Sequence, residues 1–297
     1  MTHIRKSFSE DTVFPFHFVY RDTKSPQAEL PDHLHDRCEL VYVYSGKGTF
    51  FINRTFYDMG AGDLFVIPGN TIHRATPDAD HPVTSTAVFF ASGFAQTSSL
   101  GDSYSGLHIF DLARKRKHYK VDLTEPLRGK IENMLSEINA ELESKAAGYR
   151  HAIRLQLQSL MLSLNRLVLS AEPAAAADVQ IGPQWMKEIL HYIDSHHAEP
   201  GVSLSALAQK VSVTPAHFSR VFKQLTGMNV TDYVNAKRIV LAKELLLGTS
   251  ESIDTIAGRC GFESLPYFHR VFKALSGITP GTFRRVGLAP YSPSPPI

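Results

Sequence analysis

The sequence predicts an α+β chain. A β-barrel comes first, a helical hairpin follows, and an all-α domain of two helix-turn-helix units joined by a long helix comes last. Three observations carry this. Short apolar and aromatic runs separated by glycine turns fill residues 13 to about 120, the mark of an antiparallel sandwich or barrel. Two segments between 127 and 167 place apolar residues three and four apart, as amphipathic helices do. A pattern F-x-R-V-F-K-x-L-[ST]-G occurs twice, at 218–227 and 268–277. Two copies are too few for a solenoid, so the repeat reads as a duplicated working unit. The expected divisions are a barrel at 1–125, a hairpin at 126–170, a linker at 171–182, the helix-turn-helix domain at 183–288 and a disordered proline-rich tail at 289–297.

Length and composition agree with two domains. The 297 residues are 43% hydrophobic, enough for two cores. No run of about 18 apolar residues occurs, so no membrane-spanning helix is expected. Residues 1–10 lack the apolar segment of a signal peptide, which predicts a cytoplasmic protein. Cys38 and Cys260 fall in different predicted domains, so they are expected to be small buried residues and not a disulfide. The net charge is only +2, but residues 183–297 hold 12 Lys and Arg against 8 Asp and Glu, a balance of +4, and residues 1–182 hold 19 against 21, a balance of −2. The basic excess lies on the duplicated segment, as phosphate contact requires.

In the first domain, strands are expected at 13–20, 39–44, 49–53, 54–59, 63–67 and 85–90, with turns at 46–48 and 60–62. Among them His33, His35 and Glu39 share one parity, so on a strand they face one side. His73 is expected from the paired strand. Three imidazoles and a carboxylate can hold a divalent metal such as Mn, Fe, Ni or Zn. They can also bond a small-molecule effector directly, or form a structural polar network. Tyr20, Tyr42, Phe51 and Phe65 offer flat walls for a sugar ring, or are core.

Residues 92–106 read as a Ser/Gly-rich loop, and the basic run at 114–117 as solvated surface. In the hairpin Leu127, Ile131, Met134, Leu135, Ile138 and Leu142 form one stripe, and Ile153, Leu157, Leu160, Met161, Leu164 and Leu167 the other. Such a pair packs on the barrel and can offer an apolar seam to a second subunit. A small-residue linker leads to a helix bearing Trp185, Ile189, Leu190 and Ile193.

Each copy of the repeat reads as helix, tight turn, helix. Cys260-Gly261-Phe262 makes one turn, and Ser212-Val213 the other without glycine. The following helices bury Phe218, Val221, Phe222 and Leu225, and Phe268, Val271, Phe272 and Leu275. Their exposed faces carry Ala216, His217, Ser219 and Arg220, and Leu265, Pro266, His269 and Arg270. In a helix-turn-helix these positions meet base edges in the major groove. Arginine can bond a guanine edge with two parallel hydrogen bonds. Thr214 and Ser264 at the helix starts, with Lys223 and Lys273 one turn on, suit phosphates. The helix expected at 230–247 spans about 27 Å at ~1.5 Å per residue. Adjacent major grooves lie about 34 Å apart, so both reading helices can sit on one duplex.

The residues Ile256-Ala257, Cys260-Gly261-Phe262, Phe268, Arg270, Phe272-Lys273, Gly277, Thr279-Pro280 and Phe283-Arg284 resemble the DNA-binding domain of the AraC/XylS family of bacterial transcription regulators. The pattern H-x-H-x3-E-x6-G at 33–46, followed by G-x5-P-x4-H at 62–73, is similar to the two motifs of the cupin barrel. Asn70 and Pro77 depart from that pattern, where glycine and asparagine are usual. The resemblance implies a non-enzymatic activator that binds double-stranded DNA, senses a metabolite such as a sugar, dimerises through the hairpin and touches RNA polymerase. The spacing of the histidines keeps a second reading open, a cupin-type metal-dependent dioxygenase or sugar isomerase with a helical appendage.

Overall fold

The computed structural model describes residues 13–24, 35–96, 100, 104–170 and 182–288. The described residues divide into two compact units, with the boundary along the chain between residues 180 and 181. The first contains β1 (Phe16–Lys24), β2 (Cys38–Ser45), β3 (Lys47–Ile52), β4 (Thr55–Gly60), β5 (Leu64–Ile67), β6 (His73–Pro77), β7 (Val83–Phe90), α1 (Ser92–Ala95), α2 (His108–Arg116), β8 (Lys120–Val121), α3 (Glu125–Ser144) and α4 (Tyr149–Ser170). The second contains α5 (Gln184–His196), α6 (Leu204–Lys210), α7 (Pro215–Thr226), α8 (Val230–Gly248), α9 (Ile253–Arg259), α10 (Leu265–Ser276) and α11 (Pro280–Leu288).

The strands form two antiparallel sheets, ordered β1-β7-β2-β5-β8 and β4-β3-β6. Pairing register sets which side chains face inward. Glu39 is opposite both Ile67 and Phe89, and Val41 is opposite Phe65 and Ala87. In the other sheet Phe50 is opposite Tyr57 and Ala75, and Ile52 is opposite His73. These two rows meet. The Phe50 and Phe65 ring centroids lie 4.9 Å apart, edge to face. Among the described residues the space between the sheets is mainly apolar, with His35, Glu39 and His73 buried in it.

The outer face of the larger sheet is also covered, which is why β2 is buried along nearly its whole length. Phe90 packs edge-on against Phe110 of α2, and Phe16 tilts against Phe94 of α1. The Tyr42 hydroxyl donates to Glu132 of α3 at 2.6 Å. Tyr42 therefore faces the helical hairpin. Phe18 and Tyr20 stack on the ladder that Phe16 begins, on the same outer side. Phe51 pairs with Phe56 at 4.8 Å, on the side of its sheet opposite Phe50. Of the four aromatic residues that the sequence offered as interior walls, Phe65 alone lines the interior, and strand alternation is the reason.

The hairpin buries Ile131, Met134, Leu135 and Ile138 of α3 and Ile153, Leu157, Leu160, Met161 and Leu164 of α4. Asn165, fully buried, accepts from the Ile109 amide and donates to the carbonyls of Ser105 and Gly106. That amide ties α4 to the start of α2. The basic run at 114–117 lies mostly on α2, where Arg114, Lys115 and Arg116 are exposed as expected, although the helix itself is not evident from the sequence. All but the last residue of the expected linker at 171–182, and the tail at 289–297, lie outside the described residues.

In the second unit α6, α7, α9 and α10 each begin at a capping hydroxyl, Thr214 and Ser264 among them at the expected helix starts. Ser203, Thr214, Ser252 and Ser264 each accept from the backbone N–H three residues on, satisfying donors the helix leaves open. Gly227 and Gly277 end α7 and α10 at φ of 78° and 79°, a conformation glycine adopts without strain. The two turns match as well. Val213 and Phe262 donate to Ala208 and Ala257, each five residues back. Gly261 has φ +81° and Ser212 φ +55°. The turn without glycine thus uses the same left-handed step.

Candidate nucleic-acid interface and barrel site

The cores of α7 and α10 explain their orientation. Phe218, Phe222, Phe268 and Phe272 are each 0% exposed. Fixing these buried positions turns the positions between them outward. Arg220 and Arg270 are both exposed, as are Lys223 and Lys273. Ala216, His217 and Pro266 are exposed, and Ser219, Leu265 and His269 are half-buried. The Thr214 and Ser264 hydroxyls accept as caps, which leaves each O–H free to donate to an anion.

Two contacts order the arginines. Arg220 lies 3.3 Å from the His217 ring nitrogen. The Arg270 guanidinium lies 5.1 Å from the centre of the Tyr267 ring. Trp185 of α5 stacks on Phe218 at 5.1 Å and meets His217 edge-on. The connector α8 joins the copies as one helix of 19 residues. Arg238 on α8 donates to the carbonyls of His197 and Glu199, at the end of α5, and its guanidinium also lies over the Phe262 ring. Lys237 and Asp194 form a largely buried ion pair at 2.8 Å. One helix thus holds elements of both copies.

In the β unit, His35 Nε2 and His73 Nε2 each lie 3.0 Å from the same Glu39 oxygen. All three residues are buried, at 2%, 2% and 5% exposure. Burial pushes the Glu39 carboxyl up, but the neighbouring His73 and the hydrogen bonds from both histidines outweigh it and hold it well below the ordinary value. Two expectations need correction. His35 precedes β2 and is not on the strand. His73 opens β6, in the opposite sheet, and no strand pairing links it to β2. His33 lies outside the described residues.

Asn70, a departure from the motif, has a physical explanation. It sits at φ +62°, a left-handed conformation that asparagine tolerates better than most residues. Its N–H donates to the His35 carbonyl at 2.5 Å. Beside it, a Cβ on Gly69 would lie 2.6 Å from the Asp36 carbonyl oxygen. The close approach of these loops places His35 beside Glu39.

Residues 15–164 match the family described as AraC-like ligand binding domain, and residues 207–286 match a helix-turn-helix domain family. The first match alone covers half of the sequence. The chain belongs to the AraC family. This AraC-family chain is 26% identical to the transcriptional activator RhaR of Klebsiella pneumoniae over 260 residues, covering 88% of this chain and 89% of RhaR. It is 24% identical to RhaS of the same species over 261 residues, covering 85% and 86%. It is 25% identical to the activator Btr of Bacillus subtilis over 238 residues, 80% of this chain but only 42% of Btr. Among solved structures, the C-terminal domain of AraT, a response regulator from Geobacillus stearothermophilus, has 29% identity and a TM-score of 0.35 over 37% of this chain and 93% of that one. ToxT of Vibrio cholerae has 13% identity and a TM-score of 0.36 over 92% and 98%.

Within this AraC-family chain, several supporting residues escaped the sequence reading. Asn235, Arg238 and Tyr267 carry no motif of their own. Asn70 was visible only as a departure from one. No described helix is long and apolar enough to cross a membrane.

Proposed function

We propose that this protein is a sequence-specific DNA-binding transcription regulator, an activator whose β unit takes a small-molecule effector. The observation that carries this reading is the exposure of Arg220 and Arg270 at equivalent positions of two identically capped helices. Packing gives no reason for a guanidinium to recur there, and base recognition does. Ala216, His217, Ser219, Leu265, Pro266 and His269 complete the base-reading faces. Thr214, Lys223, Ser264 and Lys273 contact phosphates.

The active form is a homodimer paired through the hairpin. Leu155 and Leu169 of α4 are 66% and 65% exposed, and their spacing of two heptads puts them on one helix face. As an activator the dimer contacts RNA polymerase. An effector, a sugar or similar metabolite as the family resemblance implies, acts through β2. That strand carries Glu39 on its inner face and Tyr42, bonded to α3, on its outer face. A cupin-type enzyme would use the same histidines. Their near-complete burial favours sensing over turnover, since a substrate needs access to the ligand atoms.

The test is selection of DNA from a random pool by the full chain, followed by binding titrations with the selected duplex. A recovered motif, lost in the Arg220→Ala/Arg270→Ala double variant, supports the reading. No enrichment above the pool overturns it. Leu155→Glu/Leu169→Glu should convert a dimer to a monomer in sedimentation, and an unchanged oligomeric state removes the hairpin seam from the proposal.

A further inference from the structure

The two reading helices seat their arginines differently. Aligning the copies puts His217 and Tyr267 at one position, three residues before Arg220 and Arg270. In α10 the Tyr267 hydroxyl is turned to the connector, where it accepts from Asn235, and Arg270 lies over the ring. In α7 the seat is a ring nitrogen. Arg220 Nη2 donates to His217 Nδ1 at 3.3 Å. A guanidinium can only donate, so Nδ1 must accept. A doubly protonated ring has no lone pair to offer, so the imidazole is neutral and its hydrogen sits on Nε2. Nε2 is the outer nitrogen of an exposed side chain on the reading face.

The imidazole is also held from a second element. Trp185 of α5 stacks on Phe218 at 5.1 Å, 22° from parallel, and meets the His217 ring at 6.4 Å, inclined at 60°. Phe218 is fully buried, so this support is anchored in the core. Trp185 acts through His217 and is a positioning residue.

We propose that the first reading head carries two fixed donor groups, the Arg220 fork and His217 Nε2–H, and selects a guanine beside a second base that presents an acceptor in the major groove. Arg220 gives one N–H to His217 and keeps enough others for both acceptors of a guanine edge. At the neighbouring position guanine and thymine offer only acceptors to the major groove, and adenine offers N7 beside its amino group. The cytosine edge offers only a donor, so cytosine is the base excluded there. In the second head the equivalent residue, Tyr267, is half-buried and turned to α8, and Leu265 and Pro266 beside it are apolar. The two halves of the recognised site therefore differ in polar content. This inference rests on the DNA-binding reading above and adds which base edges the first head takes.

The experiment compares the full chain with Arg220→Ala, His217→Asn and His217→Gln in selection from a random DNA pool. Both residues are exposed, so the changes leave the core untouched. Arg220→Ala locates the guanine, as the position whose preference it erases. Asparagine puts its carbonyl oxygen near the place of Nδ1 and nothing at Nε2. His217→Asn should therefore keep the guanine and lose discrimination against cytosine beside it, by about fivefold, the worth of one hydrogen bond. Glutamine reaches the place of Nε2 and leaves that of Nδ1 empty. His217→Gln should weaken the guanine preference by about two- to fivefold and move the neighbour toward adenine, whose edge glutamine bonds twice. In the DNA-free protein, ¹⁵N spectra of the His217 ring should show hydrogen on Nε2 and none on Nδ1. Hydrogen on Nδ1 overturns the proposal. An enriched motif that accepts cytosine freely beside the guanine overturns it and leaves the regulator reading standing, as does His217→Asn with wild-type preferences throughout. A pool with no enrichment removes the regulator reading and this proposal together.

Discussion

The Asn235 side-chain amide donates to the Tyr267 hydroxyl at 2.7 Å, joining the connector α8 to the second reading helix α10. Tyr267 in turn lies under the Arg270 guanidinium. The connector therefore positions a side chain that faces DNA in the proposed function. Removing the hydroxyl with Tyr267→Phe deletes one hydrogen bond, worth about 1 kcal/mol, and keeps the ring. The expected outcome is a folded protein with an affinity for its selected duplex about three- to tenfold weaker. Binding titrations with Tyr267→Phe and Asn235→Ala test this. Unchanged affinity in both would show that Arg270 needs no support from α8.

Arginines and lysines on the reading helices should separate by what they recognise. Arg220→Ala or Arg270→Ala should cost about 1–3 kcal/mol on the selected duplex and relax base preference at one position. Lys223→Ala and Lys273→Ala should weaken binding about equally on every sequence, each reducing the slope of log affinity against log salt by about 1. Titrations at three or more salt concentrations on selected and scrambled duplexes decide between these outcomes. An Arg220 variant that weakens both duplexes alike places that residue on phosphate.

How much of this was legible differs between the two units. In the helical unit the main signals agreed: a repeat, Ser and Thr caps, Gly227 and Gly277 as stops, and phenylalanines at helical spacing, while Val221, Leu225 and Val271 of the expected buried stripes are only half-buried. In the β unit the fold class was legible but the placement of side chains was only partly so. Parity places Glu39 on one face of β2, and the same parity puts Tyr42 on the other, away from the interior. β6 reads His-Arg-Ala-Thr-Pro, too short and polar to show alternation, so His73 was assigned to the wrong sheet. α2 was hidden because its basic last turn, exposed as expected, gives no helical apolar pattern of its own. Tyr267 could not be singled out, since only the folded unit brings Asn235 within reach of it.

The two turns offer a matched pair of substitutions. At Gly261, φ is +81° and an added Cβ would lie 2.6 Å from the Ala198 carbonyl oxygen. Gly261→Ala meets both left-handed strain and a backbone clash, and should destabilise the helical unit by more than about 1 kcal/mol. Ser212 occupies the equivalent step at φ +55° and is exposed. Ser212→Gly relieves strain but adds freedom to the unfolded chain, so stability should stay within about 1 kcal/mol of wild type, on the stabilising side. Urea unfolding followed by circular dichroism measures both. Equal losses at the two positions would mean that the turns are not equivalent.

The cysteines report on the two units separately. Burial pushes the Cys38 thiol up to about 11, against a weaker lowering from the Gly69 backbone. Burial likewise pushes Cys260 up to about 12, opposed by Arg259 and Arg238. Both are buried and free. Only the thiolate attacks a disulfide reagent, so at pH 7 about one molecule in ten thousand or fewer presents a reactive form at either site. Neither thiol should react with an aromatic disulfide reagent in the native protein, and raising the pH from 7 to 9 should still leave less than about a hundredth in the thiolate form. Reaction must follow opening, so Cys38 should become labelled with unfolding of the β unit and Cys260 with unfolding of the helical unit. Peptide mass spectrometry across a urea series resolves the two. A thiol that reacts at the rate of free cysteine before its own unit unfolds would refute the buried placement found here.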